Sequence, residues 1–299
     1  MQSILRYAAR VRRRRARGKE SIAIIGAGSL ASFLTPALAK AGYEVREIIA
    51  RAGRSGSFAR ARGLGRKVGA RALTIKTAEL DAEVLWLCAP DAEIGGVAAE
   101  LAARESLGAR FAFHSSGALL SGELNALRKA GIATASVHPL MTFVNGGRPS
   151  LQAVPFAIEG DASATKLARA IVGDLGGESF LVSARRKVAY HTWATMTSPL
   201  LLAYLVTLED AAREAGLRRE DARRMSLPII RQTLENYRFL GPAGSFSGPF
   251  VRGDVNTVAK HLAELKKQPG VSDVYIALAR EALRRLPAKN RKELKSLLG

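Results

Sequence analysis

Cysteine is nearly absent from this 299-residue chain, which contains Cys88 alone. A single cysteine can form no disulfide within the chain and cannot by itself complete a structural zinc site. Histidine is also scarce, and the four histidines do not follow the spacing of metal ligands. These shortages predict a protein without a bound metal that works in a reducing compartment, which we take to be the cytoplasm.

The sequence also lacks a convincing membrane segment. Residues 190–208 carry no formal charge, but His191 and several hydroxyl groups crowd the first half and Pro199 interrupts the run. That composition is too polar for a membrane span. We therefore expect a central helix buried against other helices or against a second subunit, and no membrane partner.

Acidic residues are missing from residues 1–19, which carry eight of the arginine and lysine side chains that give the chain a net charge of +20. The simplest interpretation is a solvated, poorly ordered tail. Two alternatives are contact with nucleic acid or an anionic membrane surface, and an organelle transit peptide. Nucleic acid is the weaker partner hypothesis, because aromatic residues are not interleaved with the charges.

A short apolar segment that ends in two glycines, residues 21–31, is the most informative part of the sequence. It predicts a buried strand that breaks at Gly26 and continues as a helix. Gly26 allows the tight turn, Gly28 lets the backbone approach a pyrophosphate, and small Ala31 lets the helix pack closely on the strand. With the free N–H groups of the helix start, the predicted dinucleotide site comprises Gly26, Ala27, Gly28, Ser29 and Leu30. The alternative is an ordinary glycine-rich turn in an α/β sheet.

Strand and helix patterns alternate over the first two thirds of the chain. Apolar runs predict strands at 21–25, 44–50, 73–75, 84–88, 111–114 and 133–138, and two further segments, 155–158 and 179–182, extend the sheet. Such alternation is typical of a parallel, doubly wound sheet of the Rossmann type. Later patterns predict helices at 186–215, 220–240, 255–267 and 272–286, with an irregular segment at 241–250. We therefore predict an α/β Rossmann domain at residues 20–184 and an all-α domain at residues 185–299.

The end of the second predicted strand favours NADP over NAD. An NAD site usually has a carboxylate there to accept from the ribose 2′-hydroxyl. This chain instead has Arg51, Arg54 and Ser55, which suit a 2′-phosphate. The alternative is that these arginines belong to a generally basic surface. Ala89 and Pro90, with Asp91 after them, are expected to line the adenosine-ribose side of the cleft.

Two groups of polar residues are candidates for the chemistry. His114, Ser115 and Ser116 follow a predicted strand, where the nicotinamide end of a cofactor is expected, and His138 ends the next strand. Lys187, Tyr190 and His191 share one helix face. A reductase needs a proton donor beside its substrate, and Lys187, Tyr190 or His191 could serve, with Ser116 and His138 orienting the substrate. The alternative for the helix face is interdomain packing.

Several motifs together resemble one family, the bacterial Rossmann-like proteins with a C-terminal domain of unknown function, DUF2520. The resemblance covers about residues 21–285, and the motifs that carry it are Gly26-Ala27-Gly28, residues 114–118, residues 136–140, Tyr190-His191, residues 247–254, Thr257 and His261-Leu262. The chain is more distantly similar to pyrroline-5-carboxylate reductase, coenzyme F420-dependent NADP reductase and the 3-hydroxyacid dehydrogenases. This resemblance implies NADP binding, a helical domain that dimerises and an active site between the domains.

Two positions depart from the patterns of these relatives. Hydroxyacid dehydrogenases place an asparagine four residues after the lysine of the first interdomain helix, whereas Lys187 is followed by His191. Nearer relatives commonly have asparagine where this chain has Pro199.

The cofactor and site predictions together give the hypothesis of a homodimeric, NADP-dependent oxidoreductase that reduces a small carbonyl or imine. The alternative is a non-catalytic NADP-binding sensor.

Overall fold

The computed structural model describes residues 18–51, 56–144, 146–147 and 150–299. Two units make up the chain, Met1–Ala194 and Thr195–Gly299. Most of the predicted basic tail, together with Arg54 and Ser55, lies outside the described residues.

An eight-stranded sheet forms the first unit. Its strands are β1 (Ile22–Ile25), β2 (Val45–Ile49), β3 (Arg71–Leu73), β4 (Val84–Leu87), β5 (Phe111–His114), β6 (Ala133–Pro139), β7 (Pro155–Gly160) and β8 (Glu178–Leu181). They lie in the order β3-β2-β1-β4-β5-β6-β7-β8. The order reverses at β1, which is the doubly wound arrangement predicted from the alternating patterns.

One pairing differs from the fully parallel sheet that the alternation predicts. β1 to β6 are parallel, but β7 runs antiparallel to β6, and β8 is parallel to β7. The segment between β6 and β7 contains no helix among its described residues. Two consecutive parallel strands must be joined by a crossover, which is usually a helix. Without such a crossover helix, the chain returns beside β6 in the opposite direction.

Helices cover both faces of the sheet. They are α1 (Ser29–Lys40), α2 (Ser57–Val68), α3 (Asp91–Ala102), α4 (Asn125–Lys129) and α5 (Ala162–Asp174). The central strands are apolar on both sides, as a doubly covered sheet requires. In β4, Trp86 packs in one hydrophobic cluster and its neighbours Leu85 and Leu87 in the other, because successive side chains point to opposite faces.

The predicted helix at 186–215 is two helices. α6 (Lys187–Thr197) ends before Ser198, and α7 (Pro199–Glu214) begins at the proline. Proline lacks the N–H that would continue the hydrogen-bond ladder and suits the first turn of a new helix. The first two turns of α6 belong to the first unit, up to Ala194.

The second unit is helical, as predicted. Its further helices are α8 (Arg219–Ser245), α9 (Pro249–Arg252), α10 (Val255–Leu265), α11 (Pro269–Arg285) and α12 (Arg291–Leu298). The predicted irregular segment at 241–250 is partly helical, because α8 continues past a kink at Gly241 with φ 68°. Within the described residues, no helix combines the length and the apolar character needed to cross a membrane.

Candidate active site

A cavity of about 460 Å³ opens where β1, β2 and β4 end. The glycine turn forms one wall. Gly26 has φ +110°, and a Cβ there would lie 2.5 Å from the carbonyl oxygen of Cys88. Only glycine fits this turn without strain. A Cβ on Gly28 would meet nothing within 4 Å, so the backbone at the start of α1 faces open space that a phosphate could fill.

Half of the predicted cofactor residues line this cavity. They are Gly26, Ala27, Gly28, Arg51, Ala89 and Pro90. Ser29 and Leu30 form the first residues of α1. Asp91 does not line the cavity, although the sequence predicts it there, and its carboxylate accepts a hydrogen bond from Ser116.

Two cations at the cavity were not predicted. Arg60 and Lys76 join Arg51 in the lining. Arg60 Nε donates to the carbonyl oxygen of Ala27 at 3.1 Å, which ties α2 to the glycine turn. Arg51 pairs with Glu93 at 3.0 Å. Lys76 follows β3, the neighbour of β2. Its position directly after a predicted strand is the sequence feature that could have identified it as a cavity residue.

His114 orders the turn after β5. The side chain is fully buried, its Nδ1 accepts from the backbone N–H of Ser116 at 3.2 Å, and its Nε2 lies 2.9 Å from the carbonyl oxygen of Leu120. These partners fix the neutral tautomer with the proton on Nε2. Burial lowers the pKa of His114 to about 4. Both ring nitrogens are engaged within the turn. The His114 side chain therefore has no free donor or acceptor for the contact with a cofactor that the sequence predicts.

Ser115 and Ser116 are also held from within the unit. Ser115 Oγ accepts from the indole N–H of Trp86 at 2.9 Å. Ser116 Oγ donates to Asp91 at 2.8 Å and accepts from the backbone N–H of Leu119 at 3.0 Å. The Ser116 hydroxyl therefore fixes the turn, and its only proton is committed to Asp91.

Lys187 lies buried at the start of α6. Its Nζ donates to Ser136 Oγ on β6 at 2.6 Å, and the Ser136 hydroxyl donates to the carbonyl oxygen of Ser116 at 3.0 Å. Loss of hydration lowers the pKa of Lys187 to about 8, and the carboxylates of Glu159 and Asp91 oppose that shift. Ser136 belongs to the motif at residues 136–140, but the sequence does not predict its contact with Lys187.

Tyr190 and His138 form a hydrogen-bonded pair, with the tyrosine hydroxyl 2.7 Å from Nδ1. Burial raises the pKa of Tyr190 to about 12 and lowers that of His138 to about 4. At neutral pH the phenol therefore donates and the neutral imidazole accepts, which leaves the remaining imidazole proton on Nε2. The ring of His191 lies 6.0 Å from that of His138.

Gly117 lies against the rings of His138 and His191. A Cβ at this position would lie 2.4 Å from Cδ2 of His191 and 2.8 Å from Nε2 of His138. The missing side chain of Gly117 thus provides the space for both rings. Strand ends β5 and β6 and helix α6 bring together four predicted residues, His138, Lys187, Tyr190 and His191.

Carboxylate oxygens of Glu47, Glu79 and Asp81 lie within 4.8 Å of one another. Arg71 pairs with both Glu47 and Glu79, at 3.0 Å in the first case. The backbone N–H groups of Glu79 and Leu80 also donate to buried Glu47. This group is therefore an ion-pair network that ties β2, β3 and the following loop together.

Two family models match the chain. A Rossmann-like domain matches residues 9–139, and the domain of unknown function DUF2520 matches residues 154–282. The chain therefore carries a Rossmann-like domain followed by a DUF2520 domain. The resemblance drawn from the sequence motifs is therefore confirmed, as is the predicted fold class. No curated protein matches this DUF2520-domain protein.

Solved structures share this fold. A Bacteroides fragilis protein described as an NADP oxidoreductase is 22% identical with a TM-score of 0.72, covering 89% of this chain and 99% of its own. The imine reductase from Myxococcus stipitatus in complex with NADP⁺ is 19% identical with a TM-score of 0.63, covering 93% and 100%. A pyrroline-5-carboxylate reductase from Coxiella burnetii is 15% identical with a TM-score of 0.55, covering 93% and 96%. At these low sequence identities, the structural matches establish that the fold is similar.

Proposed function

We propose that this protein is an NADP-dependent oxidoreductase that reduces a small carbonyl or imine. The observation that carries the proposal is a continuous set of contacts on the strand ends. Pro90 lines the glycine-turn cavity, Asp91 beside it holds Ser116, and the carbonyl oxygen of Ser116 meets the Ser136 hydroxyl that holds Lys187. A cofactor cavity thus adjoins a buried group of side chains able to move a proton.

A dinucleotide fits the cavity on the chemistry of its lining. Gly28 leaves open space at the start of α1, and the cations Arg51, Arg60 and Lys76 outnumber the carboxylates Glu93 and Glu100 in the lining. Cations favour the 2′-phosphate of NADP over the free hydroxyl of NAD. When bound there, the nicotinamide would supply the hydride.

The chain itself supplies the proton. We assign the donor role to the Tyr190–His138 pair, since Nε2 of His138 carries a proton and Tyr190 can replace it through Nδ1. Transfer from Nε2 to the substrate oxygen or nitrogen, with transfer from the Tyr190 hydroxyl to Nδ1, leaves a tyrosinate. Lys187, whose Nζ lies 6.0 Å from the centre of the Tyr190 ring, would stabilise that negative charge. His191 completes the wall beside His138 and orients the substrate.

A direct test measures NADPH and NADH binding by fluorescence and then NADPH oxidation with a panel of small aldehydes, ketones and cyclic imines. We expect NADPH to bind more tightly than NADH and at least one substrate to be reduced. Tyr190→Phe should lower turnover by about a hundredfold, within the range that general acid catalysis supplies, and leave NADPH binding unchanged. Binding without turnover on any substrate would instead favour a cofactor sensor, and absence of binding would refute both functions.

A second subunit is the proposed partner of the helical unit. Large apolar side chains of α7 and α8 are solvent-exposed in the single chain, among them Leu202 at 62%, Ile229 at 68% and Phe239 at 72%. Many exposed large apolar side chains on two helices are more typical of an interface than of a free surface. We propose that a second copy of the chain covers these helices in a homodimer.

A further inference from the structure

We propose that Ser136 is a positioning residue that holds the ammonium group of Lys187 in place for the reduction. This inference rests on the proposed function and adds to it a residue that does not itself touch the substrate.

The contact between these two side chains is fully buried. Ser136 and Lys187 are both 0% exposed, and Lys187 Nζ lies 2.6 Å from Ser136 Oγ. The serine has a single proton, which it donates to the carbonyl oxygen of Ser116 at 3.0 Å. That bond turns the lone pairs of the hydroxyl toward Lys187, so the serine can only accept from the lysine.

Ser136 is also the one hydrogen-bond acceptor that Lys187 has among the residues the structure describes. An ammonium group has three N–H donors, and burial without acceptors strongly disfavours the charged form. The carboxylates that act on Lys187 from a distance are engaged elsewhere, because Asp91 accepts from Ser116 and Glu159 accepts from Ser121. The Ser136 hydroxyl is therefore the direct support for the charge.

The surroundings explain why the support matters for the reaction. Charged and titratable groups around Lys187 are Asp91, Glu159, His114, His138 and Tyr190, and His191 acts on His138. Both His114 and His138 are neutral at pH 7 because their pKa values lie at about 4. Lys187 is thus the cation of this group, and its protonation decides whether a tyrosinate at Tyr190 is stabilised.

The experiment compares Ser136→Ala with Ser21→Ala in the full-length chain. Ser21 is a matched control, since it is 3% exposed and its hydroxyl accepts from the backbone N–H of Glu83 rather than from Lys187. Lysine side chains labelled with ¹³C are titrated by NMR without cofactor or substrate, and Lys187→Met identifies the Lys187 resonance. Circular dichroism and thermal unfolding establish that each variant is folded.

We expect Ser136→Ala to lower the pKa of Lys187 by about one pH unit or more, the size expected for loss of a hydrogen bond to a charged group. Ser21→Ala should leave it unchanged. Ser136→Cys, which retains a weaker acceptor of similar shape, should lower it by a smaller amount and remains informative if the alanine variant does not fold. An unchanged pKa in both Ser136 variants would overturn the assignment.

Catalysis provides an independent readout. If the wild-type chain reduces a substrate, the high-pH limb of its kcat/KM profile should move to lower pH in Ser136→Ala, and Ser136→Cys should restore part of the shift. If the wild-type chain reduces nothing, the proposed function fails while the NMR titration still decides the role of Ser136. A kcat/KM that falls equally at every pH, with no shift of the limb, would mean that Ser136 is merely structural.

Discussion

Individual side chains at the end of β5 are fixed largely by main-chain groups before any ligand binds. The imidazole of His114 bridges two backbone groups, and the hydroxyl of Ser116 binds Asp91 and two backbone N–H groups. Such preorganisation removes the need to reorient dipoles during a reaction.

Gly117→Ala tests the space at this position. The added Cβ would lie 2.4 Å from His191 and 2.8 Å from His138, so both rings must move. Displacements of about 1 Å can cost about a hundredfold in rate, and we expect kcat to fall by about ten- to a hundredfold with NADPH affinity unchanged. Gly96→Ala on α3, where a Cβ meets nothing within 4 Å, is the control and should keep full activity. Equal kcat values for the two variants would contradict the proposed site.

The charge of Lys187 predicts a pH dependence. Its pKa is lowered to about 8, so the ammonium form predominates below pH 8 and is lost as the pH rises through that value. If the ammonium is required, kcat/KM should be flat near pH 7 and fall by about tenfold per unit well above pH 8.

Kinetics measured from pH 6 to 10 check this dependence. Lys187→Met should lower activity throughout and abolish the limb, whereas Lys166→Met, an exposed lysine on α5, should retain it. A limb that persists unchanged in Lys187→Met would assign the titration to another group.

Secondary-structure elements determine which side chains reach the cofactor cavity. The carboxyl ends of β2 and β3 are neighbours in the sheet, which brings Arg51 after β2 and Lys76 after β3 to one cavity wall. Arg60 reaches the same wall from α2.

Arg51→Gln and Lys76→Gln should each raise the Kd for NADPH by about tenfold, because a charge-assisted bond to a phosphate is worth about 1.5–3 kcal/mol. The Kd for NADH should change by less than about twofold, since NADH lacks the 2′-phosphate. Arg66→Gln on α2, which is exposed and does not line the cavity, serves as the control. Fluorescence titrations with both nucleotides measure the ratio, and an equal loss of NADPH and NADH binding would argue against a 2′-phosphate contact.

Local patterns were sufficient to predict most elements of the first unit, since strands of apolar residues alternate with helices. The antiparallel direction of β7 could not be read from local patterns, because pairing direction depends on the path between strands. Pro199 was noticed as an interruption, yet the apolar character around it favoured one continuous helix.

Residue contacts were harder to predict than elements. Helical spacing correctly grouped Lys187, Tyr190 and His191 on one face. The partner of Lys187 was missed because Ser136 lies 51 residues earlier in the chain, and nothing in either segment indicates that distance in space. Arg60 was missed for the same reason, since its contact with Ala27 arises from the packing of α2 on the glycine turn.

At the scale of the whole molecule, charge and exposed apolar surface act in opposite directions. A net charge of +20 opposes association of two copies, whereas the exposed apolar side chains of α7 and α8 favour it. Salt screens the repulsion between charges, so the proposed dimer should tighten as ionic strength rises.

Light scattering after size-exclusion chromatography tests the dimer. The wild-type chain should have about twice the 32.0 kDa mass of one chain. Ile229→Lys, at a site 68% exposed on α8, should shift the mass toward the monomer. Leu181→Lys, at a site 61% exposed on β8, is the matched control and should remain dimeric. A monomeric wild-type chain at all salt concentrations would refute the dimer.

The reversal at β7 also explains how α6 meets the sheet. β8 lies on the far side of β7 and runs antiparallel to β6, and in the α6 helix that follows Lys187 contacts Ser136 and, farther along, Tyr190 contacts His138. Successive helix residues are rotated by about 100°. The three-residue spacing of Lys187 and Tyr190 within α6 therefore serves both contacts, and a single residue inserted between them would turn one side chain away from its partner while leaving every amino acid of the site intact.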